Sequence, residues 1–221
     1  MENRIFNKEA ECMPRRQLEA LQLERLKSLV DYCEKNSAFY SARLAAAGVT
    51  ADKIKCLSDI QYIPYTTKAD LRDTYPFGML SVPKEKIVRI HASSGTTGNP
   101  TVVAYTREDL ENWSEQVARV AVAAGATEGT VVQICFGYGM FTGALGLHYG
   151  LEKIGAAVVP TSSGNTEKQL KFMRDFQTDA IVATPSYCMY LAEAARNLSD
   201  EYPMESYKLK SVSYTHLTLP T

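Results

Sequence analysis

From residue 131 onward the chain alternates short apolar runs with segments of helical periodicity. VVQICF (131–136) opens on β-branched residues and is apolar almost throughout, the pattern of a strand covered on both faces. AAVVP (156–160) and AIVAT (180–184) repeat that pattern. Helical patterning fills the intervals. One helix falls within 139–154, one runs from a capping box of Thr166 and Gln169 through Phe176, and one covers 186–198. Strands joined through helices pair in parallel, so this half predicts an α/β fold, a mostly parallel sheet flanked by helices. Ligands in such folds meet the loops at the carboxyl ends of the strands.

The first half reads differently. Leu18, Leu21, Leu26, Leu29, Val30 and Cys33 recur near helical spacing, predicting an amphipathic helix over 15–36. Gly48 closes a second helix over 41–47, and Thr67 caps a short third that Pro76 and Gly78 end. IVRIH (87–91) and TVVAYT (101–106) read as strands. A helix over 107–124 follows, with Leu110, Trp113, Val117 and Val120 or Ala121 on one face. No repeat, low-complexity tract or linker interrupts the chain, so one domain is expected.

Charge and cysteine usage exclude several classes. Lys and Arg number 24 against 25 Asp and Glu in 221 residues, with no basic cluster, which argues against nucleic-acid or membrane-surface partners. MENRIFNKEAECMPRR lacks the apolar core of a signal peptide, and no 18-residue apolar run could span a membrane. A cytoplasmic location is expected. The five cysteines (Cys12, Cys33, Cys56, Cys135, Cys188) are odd in number and far apart, without metal-ligand spacing. Free thiols are expected, with neither a disulfide framework nor a metal site.

Three stretches carry chemistry. Ser93, Ser94, Gly95, Thr96, Thr97 and Gly98 lie between the two strands of the first half. Glycines let backbone approach an anion and successive N–H groups cradle phosphate oxygens, whereas the alternative is a polar hairpin loop. Gly-Lys-Ser/Thr is missing, so this is no Walker loop. After VVQICF, Gly137, Gly139 and Gly143 interleave with Tyr138, Met140 and Phe141. That mixture suits a pocket wall for a flat apolar ligand. Close helix–strand packing, or a dinucleotide turn of an NAD(P)-binding oxidoreductase, are the alternatives. Third, Thr184, Pro185, Ser186 and Tyr187 stand where a strand gives way to a helix, with a plain cap at Thr184 or Ser186 as the competing reading. His91 and His148 have no obvious acid or nucleophile partner and read as packed polar residues, although His91 lies close before the Ser/Thr/Gly loop.

SSGTTGNP resembles the phosphate-binding signature of the adenylate-forming acyl-CoA synthetase superfamily. IPYTTKADLRDTYPFG, RIHASSGTTGNPTVVAYT, FGYGMFTGALGLHYGLEKIGAAVVP, SGNTEKQ and TPSY together are similar to the phenylacetate–CoA ligase family across residues 18–211. The resemblance implies an incomplete N-terminal part of the large acyl-adenylating domain, cut short at Ser211. It implies an AMP-forming ligase that joins phenylacetate or a related aryl acid to coenzyme A, using ATP and Mg²⁺, in aromatic-acid catabolism. Ser93, Ser94, Gly95, Thr96, Thr97 and Gly98 would cradle phosphates, and Tyr138, Gly139, Phe141 and Gly143 would line the aryl pocket. His91, Thr184, Pro185, Ser186 and Tyr187 would border the site. The catalytic residues are expected beyond Ser211, with no metal ligand in this stretch, and a homodimer is among the expectations. A non-catalytic remnant that binds nucleotide or aryl acid is a further alternative. Asn99 stands where that family commonly has Lys, so the loop carries little charge.

The end of the chain departs from the family. Residues 212–221, VSYTHLTLPT, back-translate in one continuous frame onto a transposase-type sequencing adapter. They are expected to be non-native, and the 221-residue chain to be poorly soluble and inactive alone. A divergent strand, YTHLTL, is the alternative.

Overall fold

The computed structural model describes residues 4–93, 98–140 and 142–214. Its contacts divide the chain into two compact units: Asn7–Asp109, and the chain from Leu110 onward with the N-terminal residues up to Phe6. The division falls inside a helix, which is why no Pro, Gly or Ser tract marks it in the sequence.

The first unit opens on helices α1 (Lys8–Glu11), α2 (Arg15–Asn36) and α3 (Ala38–Ala46). Ser37 breaks α2 from α3 with an extended backbone, and its hydroxyl accepts the Tyr40 N–H that α3 would otherwise leave unpaired. Val30 of α2, Leu44 of α3, Val49 and Ile54 form the buried centre, with Leu23, Leu26, Cys33 and Tyr40 around it. Gly48 follows α3 at φ +65°, a conformation that favours glycine. Helix α4 (Lys68–Asp73) carries the expected cap at Thr67, completed as a reciprocal box by Asp70. The Asp70 carboxylate also receives both guanidinium arms of Arg43 at 2.8 and 2.9 Å, tying α4 to α3. Those hydrogen bonds, then the ones from Thr67, hold Asp70 well below the usual carboxylate range. Strands β1 (Ile87–Ala92) and β2 (Val102–Thr106) form an antiparallel hairpin with His91 opposite Val103 and Ala92 opposite Val102. Helix α5 (Arg107–Ala123) follows.

The second unit is the predicted α/β alternation: β3 (Val131–Ile134), α6 (Thr142–Lys153), β4 (Ala157–Val159), α7 (Thr166–Asp175), β5 (Ala180–Ala183), α8 (Pro185–Asn197) and β6 (Ser211–Tyr214). The strands run in the order β4-β3-β5-β6, and every pairing is parallel. Side-chain alternation along each strand separates two cores. Val132, Ile134 and Val182 face Ala144 and Leu151 of α6 and Ala121 of α5. Ile181 and Ala183 face Leu170 and Met173 of α7 and Leu191 and Ala195 of α8.

Two local expectations shift. The cap of α7 is Asn165, at φ +44°, whose side chain accepts the Lys168 N–H at 3.1 Å, rather than Thr166. Gln169 is thereby released from a capping box and turns inward, 3% exposed. Val120 of α5 is 67% exposed, and Ala121 is the residue on the packed face.

Candidate functional site

Tyr138 and Gly139 lie on the loop that follows β3, Gly143 in the first turn of α6, Thr184 after the carboxyl end of β5, and Pro185, Ser186 and Tyr187 in the first turn of α8. Behind β3, Gly137 and Gly139 stand in open space. A Cβ on Gly137 would come no nearer than 3.9 Å to Ser163 Oγ, and one on Gly139 would meet nothing within 4 Å. Close packing therefore does not explain these glycines. Gly146 and Gly150 in α6 do need glycine for packing: an added Cβ would stand 2.1 Å from the Trp113 ring and 2.3 Å from Val117 Cγ1.

Tyr138 lies between those open glycines, half-buried against the sheet core. Its hydroxyl is 3.2 Å from His148 Nδ1, and His148 Nε2 is 3.0 Å from a Glu152 carboxylate oxygen. Burial, reinforced by the Glu152 charge, pushes the Tyr138 phenol up to about 12. His148 thus has an acidic partner that sequence reasoning missed, although a spacing of four on a helix places His and Glu on one face.

The loop after β4 is shaped by polar groups. Ser162, Gly164 and Asn165 all have positive φ, at 61°, 94° and 44°. Gln169 Nε2 donates to the Ser162 carbonyl at 2.9 Å, and Gln169 Oε1 accepts from Gln133 Nε2 at 2.6 Å. Thr178 Oγ1 donates to Gln133 Oε1 at 3.3 Å, and Thr161 Oγ1 to the Ile134 carbonyl at 3.0 Å. A polar cavity of about 240 Å³ borders the loop, lined by Thr161, Ser163, Gly164, Asn165, Lys168 and Gln169, with Phe172. Burial pushes the neighbouring Cys135 thiol up to about 11, which makes it a poor nucleophile at neutral pH. All five cysteines are free.

Behind β5, Thr184 caps α8 by accepting the Tyr187 N–H at 3.4 Å, and Pro185 takes the first helical position. Tyr187 packs against the core, and its burial raises its phenol. Thr184 and Ser186 remain exposed at the strand end, their hydroxyls 3.4 Å apart.

In the first unit, Ser93 closes the mouth of the β1–β2 hairpin. Its N–H donates to the Thr101 carbonyl and its hydroxyl accepts the Thr101 N–H, each at 2.9 Å. Gly98 has φ +121°. His91 is 2% exposed, and its ring meets Tyr105 edge-on at 5.7 Å. Ser94, Gly95, Thr96, Thr97 and Phe141 lie outside the described residues. Among the described residues no group of three His, Cys, Asp or Glu could hold a metal ion, and no helix is long and apolar enough to cross a membrane.

No family model matches the chain. Individual proteins do. The phenylacetate–coenzyme A ligase of Escherichia coli K12 is 52% identical over 177 residues, covering 80% of this chain and 40% of that protein. Those of Aromatoleum evansii and Thermus thermophilus are 48% and 50% identical, each over 87% of this chain and 44% and 43% of their own lengths. The chain belongs to the phenylacetate–CoA ligase family. It spans less than half the length of these relatives. Among solved structures, 2-hydroxyisobutyryl-CoA ligase in complex with 2-HIB-AMP and CoA superposes with a TM-score of 0.89 at 26% identity, over 97% of this chain and 46% of that one. The fold is accordingly that of the adenylate-forming acyl-CoA ligases, about half of it present here. The parallel sheet and flanking helices expected from the sequence are those of this family.

Proposed function

We propose that the protein to which this chain belongs joins phenylacetate, or a related aryl acid, to coenzyme A at the expense of ATP. The observation that carries the reading is identity of 48–52% to four phenylacetate–CoA ligases, over 78–87% of this chain. In the first half-reaction a carboxylate oxygen attacks the α-phosphorus of ATP. The bond to pyrophosphate breaks, leaving an acyl-adenylate. In the second, the CoA thiolate attacks the acyl carbonyl and AMP departs. The acyl-AMP and CoA held by the 2-hydroxyisobutyryl enzyme support a sequence of this kind. Mg²⁺ enters with ATP as part of the substrate.

Ser93, Ser94, Gly95, Thr96, Thr97 and Gly98 cradle the phosphates in this reading. Ser93 accepts the Thr101 N–H through its hydroxyl oxygen and keeps the hydroxyl proton to donate to a phosphate. Tyr138, Gly139, Phe141 and Gly143 line the aryl pocket, and the free space beside Gly137 and Gly139 supports that placement. An edge-to-face ring contact adds about 0.5–1.5 kcal/mol beyond area burial, enough to favour an aromatic acid by up to about tenfold. Thr184 and Ser186 border the site with exposed hydroxyls, alongside Pro185 and Tyr187, while His91 lies two residues before the phosphate loop. A role in aromatic-acid catabolism, a cytoplasmic location and a homodimer complete the reading.

The test is acid-dependent chemistry on the whole protein. With phenylacetate, ATP, Mg²⁺ and CoA present it should release AMP and pyrophosphate in equal amounts, with CoA consumed. Release that ignores the acid, or nicotinamide reduction in its place, would remove the ligase reading.

A further inference from the structure

Tyr138, His148 and Glu152 form one line of hydrogen bonds from the loop behind β3 down the exposed side of α6. The direction of the protons follows from what each group can do. An ionised carboxylate only accepts, so neutral His148 must carry its proton on Nε2 to satisfy the 3.0 Å contact with Glu152. Nδ1 is then a bare lone pair, and the 3.2 Å contact from Tyr138 is closed by the tyrosine's own hydroxyl proton. Tyr149 meets the His148 ring edge-on at 5.4 Å and helps hold its plane. The Tyr138 ring itself stands edge-on to His148 at 5.7 Å and 87°.

We infer that His148, oriented by Glu152, is a positioning residue that sets how an acid enters the pocket, by taking up the only proton Tyr138 could donate. The inference rests on the placement of Tyr138 in the aryl pocket proposed above. A phenol with a free proton at the ring end would bind a substrate carboxylate through a charge-assisted hydrogen bond. That would hold the acid reversed, with its reactive carboxylate tied up by the tyrosine. With the proton committed to His148, Tyr138 offers a ligand only ring and oxygen lone pairs. The lone pairs repel a carboxylate, and the ring accepts an aryl group. The acid therefore enters ring first.

Reversed binding has a kinetic signature, because it lowers kcat and KM together and leaves kcat/KM nearly unchanged. In the full-length enzyme, His148→Leu should lower both constants for phenylacetate about fivefold and leave the KM for ATP unchanged. His148→Asn, whose amide oxygen can accept the tyrosine proton, should retain wild-type values. A raised KM at constant kcat in His148→Leu, or an asparagine variant that behaves like leucine, would each overturn the inference. Nitrogen NMR of histidine-labelled protein in mildly alkaline buffer reads the tautomer directly. His148 should show a bare Nδ1 whose signal moves in Tyr138→Phe, and a protonated Nδ1 would overturn the assignment. A wild-type enzyme without acid-dependent AMP release would remove the ligase reading and the pocket role together, while the tautomer measurement would still decide where the proton lies.

Discussion

Gln133 is the residue that least resembles its neighbours. It sits between Val132 and Ile134 in the central region of the sheet, fully buried, where an aliphatic side chain would be the ordinary choice. Its amide is satisfied by Gln169 on one side and Thr178 on the other. Gln169 in turn holds the Ser162 and Gly164 carbonyls of the loop behind β4. Replacing Gln169 by Leu would keep the volume and remove the side-chain acceptor of Gln133 Nε2, which keeps the Gln169 main-chain carbonyl at 3.2 Å, together with the donor to the Ser162 and Gly164 carbonyls. A buried donor left short of an acceptor costs about 1–3 kcal/mol, so the variant should show a lower urea midpoint than wild type. Adding Gln133→Leu should return part of the loss, because both ends of the bond are then apolar. A single variant as stable as wild type would mean that water or backbone shifts replace the bond. None of this was legible in the chain. Thr166 and Gln169 stand at the spacing of a capping box, and Asn165 defeats that reading by adopting a left-handed conformation and capping the helix itself. Glu152 was legible beside His148 from spacing alone, but Tyr138 reaches them only once the β3 loop folds back over α6.

The elements were read more reliably than their contacts. A parallel sheet followed from apolar runs separated by helical lengths, and the antiparallel hairpin from two β-branched runs either side of a glycine-containing loop. What the pattern could not show is which glycines a helix interface requires. Gly137 and Gly139 draw the eye because they surround aromatics, yet they border open space, whereas Gly146 and Gly150 lie one turn apart on α6 directly beneath Trp113 and Val117 of α5. Alanine at Gly150 would gain about 0.8–1.0 kcal/mol of helix propensity. Against that, its Cβ would sit 2.3 Å from Val117 Cγ1 and 3.2 Å from the Ala118 backbone nitrogen, too near for a side-chain rotation to clear both. Overpacking of this kind costs about 1–3 kcal/mol and more where backbone must move. Gly150→Ala should therefore lower the thermal midpoint of the second unit, and Gly139→Ala, with no contact within 4 Å, should not. Equal midpoints for the two variants would show that α5 and α6 can separate at little cost, and that their close approach is not what holds α6 to the sheet.

The whole chain poses a different question, because its last strand is drawn from the residues whose origin is in doubt. Strand β6 pairs Val212 with Ile181 and Tyr214 with Ala183. The ladder uses N–H and C=O groups that every non-proline residue carries, so the pairing does not by itself distinguish a native strand from an adapter translated in frame. Two physical features of the second unit bear on how such a chain behaves. Among the described residues β6 is an edge of the sheet, and an unprotected edge is a template for association. An apolar cavity of about 210 Å³ also opens between α5, α6 and the strands, lined by Val117, Val120, Ala121, Val132, Leu147 and Ala180. With relatives about twice as long, we expect this chain expressed alone to aggregate, and the protein continued beyond residue 211 to stay dispersed. Long-read sequencing of the source DNA across codon 211 should give a frame that continues with codons other than those of residues 212–221. Reads that carry those ten codons and continue free of adapter would establish them as native. In that case β6 is the protein's own strand, and a monodisperse 221-residue chain would mean that the edge and the cavity are tolerated without any covering segment.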